Sequence, residues 1–430
     1  MNASEPVGQV SAWSMAARLV ARWLEHRERV DLLFDGLPAT LTGPERARCQ
    51  NLVLGVIRHF GRLDQALSKR LMQPPRFITQ AVLCVAGYEL IEAASAPSDG
   101  RTAKIVHHAV ERSKGLASPA EARLVNAVVR KVAEELAAGE PAADSSAGSL
   151  ATYYSHPEWL VSAWLAQFGA EATRALLRWN QQPAPVYARW RAAEPAPEWL
   201  KPSRWAGFFE VPTGRWSEVE PLLKSGRLYL QDPSTRLPVE LLAPERNETL
   251  IDLCAAPGGK ALLIADAMQT GRLVAVDLPT ARIDRLKENL GRAGAVDVAL
   301  VQADVLQDLA KVLREHALDA AYQGVLVDVP CSNTGVMRHR VDVKWRLQPG
   351  DFKKHPQQQQ AMLGVAARLV APGGRLVYST CSIDVEENEH VVTAFLGSRA
   401  GAGFTLERSI LSYPWIDGHD GAGAFLLRKG

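Results

Sequence analysis

Leu250-Ile-Asp-Leu-Cys-Ala-Ala-Pro-Gly-Gly-Lys260 runs from a short apolar strand, through a turn made tight by two glycines, toward the start of a helix. Further apolar runs of strand length follow: Arg272–Leu278 (RLVAVDL), Val298–Gln302 (VALVQ), Gly324–Val329 (GVLVDV) and Arg375–Thr380 (RLVYST). Between them lie helical patterns such as ARIDRLKENLGRAG and QQQQAMLGVAARLV. Strands alternating with helices of this length predict an α/β Rossmann-like domain, a parallel sheet covered on both faces. Such sheets bind ligands at the carboxyl ends of their strands.

Working outward, residues from about 10 to 136 read as one helix after another. Thr42 with Glu45 offers a capping box, and Leu52, Val53, Val56, Ile57 and Phe60 then recur at helical spacing. Pro74 and Pro75 precede a second apolar helix, Phe77 to Ala93, and Ser98 to Gly100 introduces a third. The expected division is an all-α domain over 1–136, a linker over 137–149 rich in small and polar residues, a small connecting region of unassigned fold over 150–230, and the catalytic domain over 231–430.

The glycine pair alone is weak evidence for a ligand, because any tight strand-to-helix turn asks for it. Asp277, about 18 residues further on, ends the next strand, where an acid in this type of sheet can accept hydrogen bonds from ribose hydroxyls. Asp304 and Asp328 end the two strands after it. Three acids at successive strand ends favour a ligand. The full GxGxxG spacing is absent from CAAPGGK, so S-adenosylmethionine, which carries no phosphate, suits the turn better than a dinucleotide.

Cys331 and Cys381 follow directly on two of these strands, whereas Cys49 and Cys84 are expected to be small core residues. Carbon 5 of a cytosine takes a methyl group only after a nucleophile has added at carbon 6, and a thiolate both attacks and leaves well. The thiolate would need nearby cations or a helix N-terminus, and Ser382 to Asn388 could begin such a helix. The chemistry asks for one nucleophilic cysteine and leaves open which of the two it is.

QDPSTRLPVELL, DLCAAPGGK, AVDL with RIDRLKENLGRAG, QAD, DVPCSNTGV with a downstream KW, and STCSIDVEEN follow in order from Gln231. This series resembles the Fmu/Sun (RsmB-type) RNA cytosine-5 methyltransferases, and the amino-terminal helices resemble their NusB-like RNA-binding domain. The resemblance implies that Cys254, Ala255, Ala256, Pro257, Gly258, Gly259 and Lys260, with Asp277, Asp304 and Asp328, hold S-adenosylmethionine. It also implies that Asp328, with Lys260 near it, meets the target base, that Cys381 is the nucleophile, and that Cys331 assists product release. Departures are Val329 for the usual alanine, Val341 for a proline, and Trp190-Arg191 after Arg189 where a Val-Asn pair is usual.

Arg338, Arg340, Lys344 and Trp345 combine cations with an aromatic ring, as a site for RNA phosphates and a stacked base would require. The expected partner is RNA, by resemblance small-subunit (16S) rRNA, with the target base exposed or flipped. Lys plus Arg, 49 in number, nearly balance 47 Asp plus Glu, so RNA contact must come from local patches. Five cysteines without CxxC spacing suit free thiols in a reducing cytoplasm and suggest no metal site. The start MNASEPVGQVSAW lacks signal-peptide character, and no membrane span is expected; the chain is read as a monomer. The competing readings are a dehydrogenase, disfavoured by the missing fingerprint, a DNA cytosine-5 methyltransferase, and a non-enzymatic NusB-like RNA-binding or assembly factor.

Overall fold

A computed structural model describes residues 11–95, 100–142 and 144–430; the expected turn at Ser98 and Asp99 lies outside these. The chain forms two compact units, one of Met1–Pro183 with Met337–Leu347 and one of Ala184–Val336 with Gln348–Gly430. The division thus falls at Pro183, beyond the 137–149 segment where composition suggested it.

The first unit is helical: α1 (Ala12–His26), α2 (Val30–Asp35), α3 (Gly43–Arg58), α4 (Phe60–Ser68), α5 (Phe77–Ser95), α6 (Arg101–Leu116), α7 (Pro119–Leu136), α8 (Ala147–Tyr153) and α9 (Glu158–Gln181). The capping box at α3 is present, with the Glu45 carboxylate accepting from the Thr42 N–H at 2.9 Å. Part of the expected linker is helix, because Ser146 caps α8, and the carbonyl of Pro141 accepts from Arg174 of α9 at 3.0 Å. Trp23, Leu52, Val53, Leu83 and Val125 fill the core. Gly55 of α3 lies where a Cβ would sit 2.1 Å from the Tyr88 ring, so α3 and α5 approach this closely only over a glycine. The α5 stretch Phe77–Ala94 is long and apolar enough to cross a membrane by length and composition, yet Ala81 to Ala86 are buried in this core.

Met337–Leu347 returns from the other sequence half to this core. Val341 is buried among the helices, and Trp345 packs edge-on against Phe60 with ring centroids 5.5 Å apart. The departure at Val341 therefore supplies an apolar side chain where the core takes one.

The second unit begins with a small antiparallel sheet, in the order β2-β3-β1-β4, from β1 (Tyr187–Trp190), β2 (Lys201–Pro202), β3 (Phe208–Glu210) and β4 (Leu228–Leu230), with α10 (Trp216–Lys224) packed on it. Arg189 and the unusual Arg191 both reach Asp266, Arg191 by two bonds of 2.8 Å. After α11 (Leu237–Leu242) the chain alternates through β5 (Glu248–Leu253), α12 (Gly259–Met268), β6 (Gly271–Asp277), α13 (Ile283–Leu290), β7 (Asp297–Gln302), α14 (Leu309–Glu315) and β8 (Tyr322–Asp328). The rest comprises α15 (Val343–Arg346, in the helical unit), α16 (Asp351–Arg368), β9 (Val370–Thr380), α17 (Glu389–Leu396), β10 (Phe404–Ser412), α18 (Pro414–Asp417) and β11 (Ala422–Lys429).

The large sheet has the order β10-β11-β9-β8-β5-β6-β7, parallel from β9 to β7, with β11 and β10 antiparallel at one edge. Alternate residues of the central strands enter opposite layers: Ile251, Val274 and Val325 one, Leu250, Leu273 and Leu326 the other. This two-sided burial is why the strands read as unbroken apolar runs. The order reverses between β5 and β8, which places a crevice where the turns after these strands part.

Candidate active site

The turn after β5 is built to leave backbone exposed. Cys254 has φ 65° and Gly258 φ 106°, and Gly258 caps α12. Asp277 at the end of β6 accepts from the Ala256 N–H at 2.8 Å, and Asn289 donates to the Pro257 carbonyl at 2.7 Å, so the neighbouring β-α unit holds the turn. At Gly259 a Cβ would lie 3.0 Å from Gln231 Nε2. A cavity of about 240 Å³ opens against this turn, walled by Tyr229, Gln231, Asp252, Pro257, Lys260 and Asp328 among others. Asp277 and Asp304 do not line it.

Lys260, in the first turn of α12, donates to Asp328 Oδ2 at 2.7 Å, and Ser379 donates to Asp328 Oδ1 at 3.0 Å. Burial pulls the Lys260 ammonium down, but Asp328 outweighs it and leaves the group above its ordinary value. Asp252 is wholly buried in β5, and neither of its carboxylate oxygens has a hydrogen-bond partner. Burial, then the charge of Asp328, push it well above the usual carboxylate range. The same burial, with Asp277 and Asp328, raises the Cys254 thiol, which suits an inert sulfur.

Cys331 and Cys381 come together at the ends of β8 and β9, with sulfurs 3.0 Å apart. Cys381 is partly exposed and lies 3.3 Å from Asn333 Oδ1; Cys331 is buried. The hydrogen bond with Cys381, then burial, then the charges of Cys381 and Glu387 raise the Cys331 thiol well above its ordinary value. Cys381 does not begin a helix: a single 3-10 turn, Val385–Glu387, intervenes before α17. Its cation is Lys260, close enough for the two charges to interact.

The basic loop is corrected by the structure. Lys344 is 1% exposed and donates to the Arg58 carbonyl at 2.9 Å, while the Trp345 indole donates to the Ile57 carbonyl at 2.8 Å. Both are spent in the helical core, so neither is available for a phosphate or a base. Arg338 lies over the Trp179 ring at 4.2 Å and donates to the Pro183 carbonyl, and Arg340 is exposed. Sequence reading also missed Asp252, Tyr229, Gln231 and Glu387. Asp252 stands inside DLCAAPGGK, where it reads as a strand residue; Tyr229 falls where no fold is assigned, and Gln231 opens the QDPSTRLPVELL motif without a role attached to it.

Asp252, an orphaned buried carboxylate in the cavity wall, fits a ligand that brings its own cation, as the ammonium and sulfonium of S-adenosylmethionine do. Together with the parallel sheet and its glycine turn, it defines the class as a Rossmann-like S-adenosylmethionine-dependent methyltransferase. The family model described as 16S rRNA methyltransferase RsmB/F matches residues 239–409, and that of the NusB family matches residues 11–134. The chain is 31% identical to the probable ribosomal RNA small subunit methyltransferase B of Bacillus subtilis (strain 168), over 83% of this chain and 81% of the relative. It is 29% identical to ribosomal RNA small subunit methyltransferase B of Shigella boydii serotype 18, over 90% of each. Among solved structures, the crystal structure of PH0851 matches over the whole of both chains with a TM-score of 0.75 at 21% identity. A methyltransferase homolog protein from Pyrococcus horikoshii, at 23% identity, matches 67% of this chain and all of its own with a TM-score of 0.56. These two likenesses speak for the fold. The chain belongs to the RsmB/F family of 16S rRNA methyltransferases.

Proposed function

We propose that the protein methylates carbon 5 of a cytosine in small-subunit (16S) rRNA through a covalent bond between Cys381 and carbon 6 of the base. The observation that carries this reading is the pair of sulfurs 3.0 Å apart beside the Lys260–Asp328 ion pair. Asp328, held at one oxygen by Lys260 and at the other by Ser379, orients the polar edge of the flipped cytosine. Cys381 attacks carbon 6 as thiolate, with Lys260 supplying the nearby positive charge, and a proton is taken up at the ring so that carbon 5 becomes nucleophilic. When bound, S-adenosylmethionine supplies the methyl group to carbon 5. Loss of the carbon 5 proton then returns the electron pair to the ring and expels Cys381, a step that Cys331, 3.0 Å away, assists, and the proton taken up at the ring is released.

Cofactor contacts are assigned to the Cys254–Lys260 turn and Asp328 directly, with Asp277 holding the turn and Asp304 outside the cavity lining. Of the expected RNA contacts, Arg340 is the exposed cation that can meet a phosphate. We read the protein as a monomer of the reducing cytoplasm.

The test is incubation with unmodified 16S rRNA and methyl-labelled S-adenosylmethionine, followed by hydrolysis to nucleosides, with a DNA duplex in parallel. Label in 5-methylcytidine supports the reading. Label in another nucleoside, in the DNA alone, or in nothing overturns it.

A further inference from the structure

Glu387 lies in the 3-10 turn that follows Cys381, and it is 0% exposed. Its carboxylate accepts the Ser332 N–H at 3.0 Å and 3.3 Å, one on each oxygen, and the Gln359 side-chain amide at 2.7 Å. The same Gln359 amide group donates to the Pro330 carbonyl at 3.0 Å. The peptide groups on both sides of Cys331 are thus fastened, one by Glu387 and one by the glutamine that Glu387 holds. Tyr378, also buried, donates to the Glu387 carbonyl at 2.6 Å and fixes the turn that presents the carboxylate.

Among the described residues no lysine or arginine pairs with Glu387 within ion-pair distance. A buried carboxylate without a cation is costly even when hydrogen-bonded, and Gln at this position could make most of the same contacts without the charge. The charge itself therefore asks for an explanation. It lies close enough to Cys331 to act on that thiol, whereas the charge that acts on Cys381 and Lys260 is mutual and attractive. The two sulfurs lie 3.0 Å apart, yet Cys381 interacts electrostatically with Lys260 and Cys331 with Glu387.

We propose that Glu387 is a positioning residue for product release: it clamps the Pro330–Ser332 turn and sets negative charge behind Cys331, so that two otherwise similar sulfurs take different roles. The proposal rests on the reading above, in which Cys381 attacks and Cys331 assists release. With the Glu387 carboxylate fastened to the turn behind it, Cys331 stays a thiol, does not compete for carbon 6, and remains beside the adduct it helps to break down. The hydrogen bond with Cys381, then burial, then the charges of Cys381 and Glu387 raise the Cys331 thiol, and the Glu387 contribution acts in the direction this division requires.

The experiment compares wild type, Glu387→Gln, Gln359→Met and Cys381→Ala, with folding checked by thermal unfolding. Two readouts are taken. One is the pH midpoint of Cys331 alkylation by iodoacetamide, followed on its own peptide by mass spectrometry without RNA. The other is the fraction of enzyme bound to rRNA as a denaturation-resistant adduct during turnover. Glu387→Gln is expected to lower the alkylation midpoint, raise the adduct at least fivefold and lower kcat by 10- to 100-fold, with KM for RNA within twofold. Gln359→Met keeps the charge and loses the Pro330 clamp, so it is expected to raise the adduct and leave the midpoint in place. If Glu387→Gln leaves midpoint and adduct as in wild type while Cys381→Ala is inactive, the role of Glu387 is refuted and the nucleophile reading survives. If Cys381→Ala still transfers methyl groups, the reading beneath the proposal falls.

Discussion

Lys260 and Lys344 are both drawn into the protein, and they are treated in opposite ways. Lys260 sits at the cavity, 19% exposed, with its ammonium 2.7 Å from Asp328. Lys344 lies in the helical core with a single carbonyl partner at 2.9 Å, and burial, followed by the charge of Arg58, pulls it well below its ordinary value. One lysine is kept charged by a carboxylate that shares its site; the other is left to give up its charge. A lysine that serves chemistry at a cavity and a lysine that serves packing are distinguished by the partner, not by burial.

The largest effect expected from this contrast is at Lys260. Lys260→Met should lower kcat/KM by about 10²–10³, the scale of losing one charge aligned with the reacting groups, with thermal stability little changed. Lys344→Met should keep activity within about threefold in the same assay. Equal losses in the two variants would break the comparison.

Asp252 extends it to an acid that has no hydrogen-bond partner. Its folded-state pKa is raised, so the native state holds a proton that the unfolded chain gives up near the ordinary carboxylate range. Wild type therefore loses stability as pH rises from about 4 toward neutrality. Asp252→Asn should remove that loss, unfolding later than wild type in urea at pH 7 and alike at pH 4, while S-adenosylmethionine binds about tenfold more weakly by calorimetry. Unchanged cofactor affinity would mean that the orphaned acid does not face the cofactor.

For Lys344 the sign is reversed. Its folded-state pKa is lowered, so below the ordinary lysine value, about 10.4, the unfolded chain takes up a proton that the native state binds less readily. Lys344→Met should be more stable than wild type by about 1–2 kcal/mol at pH 7, a gap that closes as pH approaches 10.5. The smallest effect is expected in RNA binding. Arg340→Ala should reduce the salt slope of the affinity by about one, and Lys344→Met should not change it. A reduced slope for Lys344→Met would return that lysine to the RNA surface.

How much of this was legible depended on whether a residue's partner lay nearby in sequence or followed from strand order. β5 to β9 are apolar runs because parallel strands are buried on both faces, and the residues at or just past their ends, Asp328, Cys254 and Cys381, could be located from that alone. β10 and β11 were not foreseen: the first is mostly exposed at the sheet edge, and the second begins among small residues, Ala422-Gly423-Ala424. Lys344 and Trp345 looked like RNA contacts because their partners, the carbonyls of Arg58 and Ile57, lie 286 and 288 residues away. Glu387 was hidden for a related reason. In STCSIDVEEN it reads as one more polar residue of an expected helix start, and only folding brings Ser332 and Gln359 to it.

The most direct test of the central claim is to incubate Cys331→Ala and Cys381→Ala separately with unmodified 16S rRNA and methyl-labelled S-adenosylmethionine, and to resolve the products on a denaturing gel. The account predicts a labelled protein–RNA adduct that accumulates in Cys331→Ala and is absent, with no methyl transfer, in Cys381→Ala. An adduct that persists in Cys381→Ala and vanishes in Cys331→Ala would exchange the roles of the two sulfurs and contradict it.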